Sequence, residues 1–304
     1  MYGPLVSTGD AAPHTRLYCD VFGMEESGAA RLPEDVTRTL FGADAGAVEL
    51  RTLRTPGVLA GTVLCLFEPG SDEQIRTAET RLHRDAFRVI DFYAPDLDAA
   101  VAHARELGYH VEHSEAGYDL DEGAFREAHL PGPDGVVTAF LSGPRDFFTG
   151  FAQVRDRIVS EVCSISAPLG AVGQPSIDFY REVLGWGVVF EYAFEDDSFS
   201  ELVGVAEKLK VTSSTVGFAR DEPYINIVDY GTGHSGPSLL GQSVAPRRGL
   251  LGSVLTVNDL DALRERAGDC LGGEAGIELA PFGQVRAAVL TPPHGIPHLV
   301  LQTV

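Results

Sequence analysis

The sequence predicts an α+β chain assembled from four repeats of a strand–helix–three-strand (βαβββ) module, and three internal echoes carry that expectation. A strand leading into an Asp-Leu-Asp helix occurs twice, as FRVIDFYA-PDLDAAVAHARELG (Phe87–Gly108) and GSVLTV-NDLDALRERAG (Gly252–Gly268). Each is completed by a Pro/Gly turn, PGPDG (Pro131–Gly135) or PPHG (Pro292–Gly295), that enters a final apolar strand. The helix end LYCDVFGM (Leu17–Met24) is echoed by FYREVLGW (Phe179–Trp186).

The second module is the most legible. Residues Phe87–Ala94 are a β-rich run, and Asp96 is placed to cap a helix whose apolar positions Leu97, Ala100, Val101, Ala104 and Leu107 recur at helical spacing, closed by Gly108. Strands His110–Glu115, Ala124–Leu130 and Val136–Ser142 follow, the last two around the PGPDG turn. In the fourth module the strand Gly252–Val257, the helix capped by Asp259, and strands Gln284–Leu290 and Pro297–Thr303 repeat the order. The third opens at Val159–Ser166, then continues through the helix SIDFYREVLGW and strands near Val188–Phe194, Val211–Phe218 and Tyr224–Tyr230. The first reads as strand Tyr2–Ser7, a helix near Pro13–Phe22, and strands Val48–Leu53 and Val58–Phe67. Between modules two and three, Pro144–Arg157 carries Phe147, Phe148 and Phe151, which marks a packed connection rather than a floppy linker. The chain is therefore divided into domains 1–150 and 151–304, two modules in each.

Composition narrows the functional classes. At 304 residues the chain exceeds a usual single domain, and 44% hydrophobic residues supply a core. A net charge of −21 repels nucleic-acid backbones and anionic membrane surfaces, so neither is an expected partner. Lys208 and Lys210 are the only lysines, a skew toward arginine expected of a GC-rich, actinobacterial genome. Cys19, Cys65, Cys163 and Cys270 are scattered without a CxxC pair, which argues against a zinc knuckle or disulfide framework and suits a reducing cytoplasm. No leader-like segment opens the chain and no long apolar run crosses it, so a soluble cytoplasmic protein, monomer or homodimer, is expected. Gly-x-Gly-x-x-Gly, Walker A and Gly-x-Ser-x-Gly motifs are missing, which removes nucleotide-cofactor and serine-hydrolase readings.

With Phe179–Trp186, the strand-DLD-helix pattern at Asp96–Asp98 and Asp259–Asp261, and the Pro-x-Gly turns before Leu141 and Leu301, the chain resembles the vicinal oxygen chelate (glyoxalase, bleomycin-resistance, extradiol dioxygenase) superfamily over nearly its whole length. The resemblance implies modules paired into two cup-shaped, partly open β-barrels with helices outside, each cup around a small-molecule cavity. It implies enzymes (glyoxalases, dioxygenases, epimerases, thiol transferases) and metal-free drug-sequestering proteins alike. Metal-dependent members place a His, Gln or Glu on the first strand of a module and a Glu on the last. Carried onto this sequence, those positions read Met1, Val89, Ala139, Gly252 and Leu299, with the third module open between Ser160 and Glu161 and with His298 one residue from Leu299. No cofactor is thus expected; a divalent metal, if bound, would use Glu161 and His298. His110 and His113 fall on opposite strand faces, His129 at a rim, and His234 in a loop able to touch a ligand.

Strand alternation then selects cavity residues. If Val89 faces inward, so do Asp91 and Tyr93, a carboxylate and a phenol suited to acid/base work in an apolar cavity, while Ile90 and Phe92 face the helices. The structural alternative has Asp91 capping backbone or pairing with Arg88 or Arg126. Glu161 is the third catalytic candidate; Thr256, Asn258, Gln284, Arg286, Trp186 and Tyr192 are the candidate substrate contacts. The expected function is a metal-independent lyase, isomerase or cyclase of specialised metabolism acting on an aromatic or polyketide-like small molecule. The alternatives are a ligand-sequestering self-resistance protein and a metal-dependent lyase or dioxygenase.

Overall fold

The four expected modules are present, each with its first strand hydrogen-bonded to its last. The structure, a computed structural model, describes residues 1–42, 45–169, 173–231 and 236–304. Module one comprises β1 (Gly3–Ser7), α1 (Ala11–Asp20), β2 (Glu25–Leu32), α2 (Glu34–Phe41), β3 (Ala47–Arg54) and β4 (Gly61–Glu68). A short β5 (His83–Arg84) precedes module two, made of β6 (Val89–Tyr93), α3 (Leu97–Glu106), β7 (Glu115–Leu120), β8 (Gly123–Pro131) and β9 (Val137–Ser142). After α4 (Arg145–Thr149), module three runs β10 (Val162–Pro168), α5 (Gly173–Phe179), a π-helical turn at Tyr180–Leu184, β11 (Gly187–Asp196), α6 (Asp197–Val203), β12 (Leu209–Gly217) and β13 (Tyr224–Asp229). Then come β14 (Gly236–Ser238) and module four: β15 (Gly249–Thr256), α7 (Leu260–Ala267), β16 (Leu271–Leu279), β17 (Gly283–Leu290) and β18 (His298–Thr303).

Local chemistry explains these boundaries. Asp10, Asp96 and Asp259 sit at extended N-cap positions and accept the backbone N–H of Ala12, Ala99 and Ala262, which satisfies donors the first helical turn leaves open. The helix of module three ends on Gly185, left-handed at φ 71°. Within the modules, β2 and β16, glycine-bearing strands exposed along much of their length, and the inserted helices α2 and α6 escape sequence reading, as do the short linking strands β5 and β14. The segment expected as strand from His110 is irregular until Glu115.

The modules do not pair in chain order. One eight-stranded sheet runs β16-β17-β18-β15-β1-β4-β3-β2 and the other β11-β12-β13-β10-β6-β9-β8-β7. Module one therefore joins module four, and module two joins module three, so each sheet crosses the division expected near residue 150. At each junction the first strands run antiparallel, Leu5 opposite Gly252 in one sheet and Asp91 opposite Ser164 in the other. A module's first strand has a free edge that must be covered, and any other module offers a matching one. The links between modules settle the choice: Phe148 of the link between modules two and three stacks on Tyr93, and β5 and β14, from the two longer links, pair with each other.

Both sheets curl until their edge strands meet, β2 against β16 and β7 against β11. The module helices cover the convex faces in one common core that joins Leu17 and Tyr18 of α1, Ala100 of α3, Tyr180, and Leu263 of α7 to Val6, Ile90, Phe92, Ile225 and Val300 of the strands. Each cup is then closed by the helix inserted in its odd module: α2 lies on β3, β16 and β17, and α6 lies on β7 and β12.

Candidate functional site

The two cups differ in what fills them. The cup of modules one and four is packed with Leu5, Leu50, Val63, Cys65, Val254, Ile277, Leu299 and Leu301, capped by Leu40 of α2. The cup of modules two and three holds ionisable and hydrogen-bonding groups. There β6 turns Val89 and Asp91 inward while Ile90 and Phe92 enter the helix core, as alternation requires. Asp91 Oδ2 accepts from Ser164 Oγ at 2.5 Å, Ser166 Oγ at 3.1 Å and Asn226 Nδ2 at 3.5 Å, three donors from β10 and β13. Asn226 Nδ2 also reaches Ser164 Oγ at 3.0 Å, while its Oδ1 is buried with no partner among the described residues. On β8 the same alternation brings Glu127 and His129 inward, and His129 Nε2–H donates to Glu127 Oε1 at 2.7 Å. Neither Arg88 nor Arg126 pairs with Asp91; Arg126 points outward to Asp98 and Glu115.

Burial, reinforced by the negative charge of Glu127, pushes the Asp91 carboxyl up to about 7, against the pull of the Ser164 and Ser166 hydrogen bonds and of Arg88. Burial likewise raises the phenols of Tyr118, Tyr192 and Tyr224, which surround Asp91 from β7, β11 and β13. Tyr118 stacks on Phe194 with ring centroids 4.0 Å apart and 3° between planes, and Phe199 of α6 stands edge-on to Tyr118. The space left beside Asp91 and Glu127 is about 40 Å³, enough for a few waters. Arg88 separates it from an outer cleft of about 190 Å³ lined by Arg81, Glu112, His129, Val136 and Leu202.

Solved structures place this architecture. Glyoxalase I from Zea mays is 15% identical, aligns over 100% of this chain and 92% of its own, and has a TM-score of 0.61. The chain has the vicinal oxygen chelate fold. A mutant of the same maize enzyme gives a TM-score of 0.62 at 14% identity over 100% of this chain and 93% of that one. TnmS3, an antibiotic binding protein from Streptomyces sp. CB03234, aligns over 46% of this chain and 92% of its own at 17% identity, with a TM-score of 0.29. No protein-family profile matches the chain, and no curated protein does.

Within this fold, the residues present do not fit a resident metal. Across the polar cup the first and last strands offer Asp91, Ala139, Ser164, Ser166 and Asn226, and β8 adds Glu127 and His129, which are bonded to each other. A transition metal takes three or four His, Cys or carboxylate ligands, and no three such side chains gather among the described residues. Gly252, a first-strand position in the apolar cup, has no room for any side chain: a Cβ there would stand 2.0 Å from the Pro297 carbonyl oxygen. Glu161 and His298, the pair expected to hold a metal, lie in separate networks. Glu161 accepts the N–H groups of Gln153 at 2.6 Å and Val154 at 2.9 Å, so it clamps the link between modules and does not line the space beside Asp91. The third-module register is thereby corrected, because β10 begins after Glu161 and presents Ser164 and Ser166 instead.

His298 is fully buried between modules three and four. Its Nε2 accepts from the Tyr180 hydroxyl at 2.9 Å, Tyr180 accepts from His294 Nε2–H at 2.8 Å, and His298 Nδ1–H donates to Ser253 Oγ at 2.7 Å. The orientation follows from His294 Nδ1, which accepts the Ile296 N–H. Burial keeps both rings neutral, His294 pulled down to about 3.

The remaining expected contacts divide. Tyr192 lines the polar cup. Tyr93 faces into it but at the plugged end, stacked on Phe148 at 3.9 Å, away from the space beside Asp91. Trp186, Thr256 and Asn258 come together in a surface cleft beside Ala262 and Arg266 of α7, apart from the space beside Asp91. Gln284 and Arg286 are on the outer face of β17, whose Val285 and Ala287 face inward; Gln284 bonds Glu278, and Arg286 forks onto Asp261 and Glu274. Glu127, His129 as a cavity group, and Arg88 were not anticipated, although the period-two count that found Asp91 also selects Glu127 and His129 from Phe125. His234 lies outside the described residues.

Proposed function

We propose that the polar cup is the active site of a small-molecule enzyme that moves a proton on a planar, aromatic or polyketide-like substrate, in an isomerisation, elimination or cyclisation, without a resident metal. The observation that carries this reading is Asp91: a fully enclosed carboxyl held near neutrality by burial and by Glu127, so that both protonation states are available at physiological pH. As base, its carboxylate takes a proton from a carbon next to a carbonyl, leaving an enolate and a neutral carboxylic acid. As acid, it returns that proton to a second position, and no oxidant is required. Ser164 and Ser166 fix the carboxylate, Asn226 Oδ1 is free to accept from a substrate donor, and the Tyr118–Phe194 stack presents a flat wall.

The test is a ¹³C-detected titration of the Asp91 carboxyl, joined to deuterium exchange of aromatic ketones and β-dicarbonyl compounds in D₂O after chelator treatment. The wild type should titrate near 7, and Glu127→Gln should lower that midpoint, because it removes the negative charge that adds to burial. Asp91→Asn should slow exchange by about 10²-fold or more. A carboxyl that titrates in the ordinary range, or a variant that exchanges as fast as wild type, rejects the assignment. The stacked aromatic wall also supports a sequestering protein; that reading requires a ligand bound equally by Asp91→Asn and recovered unchanged.

A further inference from the structure

Arg88 and Arg76 are both 6% exposed and stand side by side, yet they are satisfied very differently. Arg76 donates to the carbonyl oxygens of Phe87, Thr80, His83 and Ala86 at 2.6–2.8 Å, so it organises the segment that leads into β6. Arg88 makes one hydrogen bond, from Nη1 to the Tyr230 hydroxyl at 2.8 Å, and its guanidinium carbon lies 5.7 Å from that ring's centre. Its Nε and Nη2 have no hydrogen-bond partner among the described residues, and no carboxylate there lies within ion-pair distance. An arginine is always charged, and burying a cation without a counter-charge is strongly unfavourable. In a chain of net charge −21, Arg88 feels Asp91 through space but forms no direct ion pair among the described residues.

Its position explains the arrangement. Arg88 lines both the space beside Asp91 and the outer cleft, so it sits at the throat between them. Resting on the active-site reading above, we propose that Arg88 anchors a carboxylate of the ligand, and that the ligand class of this cup is a small planar monoanion. A guanidinium fork matches a carboxylate with two parallel N–H···O bonds, and two donors are open here. The cleft, at about 190 Å³, accommodates a single aromatic ring, since a cavity of about 150 Å³ holds benzene. An anion at the throat would supply the direct partner that Arg88 lacks, while the rest of the molecule stays in contact with the apolar cleft wall of Val136, Val137 and Leu202.

The experiment uses the full chain with benzoate and its neutral isostere benzamide, measuring affinity by calorimetry and unliganded stability by thermal unfolding. Wild type should bind benzoate and discriminate against benzamide. Arg88→Met should lose benzoate affinity by roughly thirtyfold or more while its unliganded melting temperature is equal or higher, because the unpaired buried charge is gone. Arg88→Lys should retain part of the affinity, and Asp91→Asn should retain it. The inference is overturned if benzoate fails to bind, if both probes bind alike, or if Arg88→Met binds benzoate unchanged or melts well below wild type. Failure here with Asp91 titrating near 7 removes the anchor alone; benzoate binding at Arg88 with Asp91 in the ordinary range removes the proton-transfer reading alone.

Discussion

The two cups are built to one plan and used in opposite ways. Both pair two modules through antiparallel first strands, and both are closed by a helix inserted after the second strand of the odd module. One is filled with Leu, Val and Ile; the other gathers Asp91, Glu127 and Arg88, each largely buried. Apolar filling stabilises in proportion to the area it removes from water, whereas buried charge opposes folding unless partners offset it. The difference teaches that a duplicated scaffold separates two demands: the dry cup and the shared helix core supply stability, and the polar cup is free to keep groups that a single-cup protein would find hard to carry.

The comparison is broken most sharply in the dry cup. Leu299→Ala, at a fully buried position, should cost about 2–5 kcal/mol in urea unfolding while leaving benzoate affinity unchanged. A parallel loss of affinity would mean that the cups are not independent. The polar cup should respond with the opposite sign. With Asp91 raised from 3.8 to about 7, the folded state holds the proton that the unfolded chain releases, so this group's contribution to stability falls as pH rises from about 4 to about 7. Asp91→Asn removes that dependence and should be more stable than wild type at pH 8, by on the order of a few kcal/mol, with the two converging near pH 4. A variant less stable at pH 8 would show that the carboxylate is structural. The smallest effect belongs to the exposed fork of Arg286 on Asp261 and Glu274: Arg286→Gln should leave both the melting temperature and benzoate binding unchanged, since solvent screens such pairs.

Reading the residues in order recovers much of this molecule. The capping aspartates, the closing glycines and the Pro-x-Gly turns act within a few residues, so all four modules and most of their strands are legible. Asp91 is legible from alternation in β6, and Tyr192 from the run of aromatics along β11. The same alternation in β17 correctly separates Gln284 and Arg286 from Val285 and Ala287, yet the polar pair was assigned to the wrong face. Period two divides a strand into two sets without saying which set meets the cavity. Thr256 and Asn258 differ again: Thr256 is the last residue of β15 and Asn258 lies just beyond it, so both meet the surface beside Trp186.

Local sequence therefore specified the modules and their helix stops, for each depends on residues close in the chain. Which modules share a cup, and which cup stays polar, depends on contacts between residues far apart: first-strand edges that could meet several partners, Phe148 plugging one end, and Ser164, Ser166 and Asn226 arriving from another module to surround Asp91. Such pairings follow from geometric fit across the whole fold, and their energies are invisible to any reading confined to neighbours along the chain. The single hydrogen bond of Arg88 is of this kind, since it is seen only once the described residues around it have been placed.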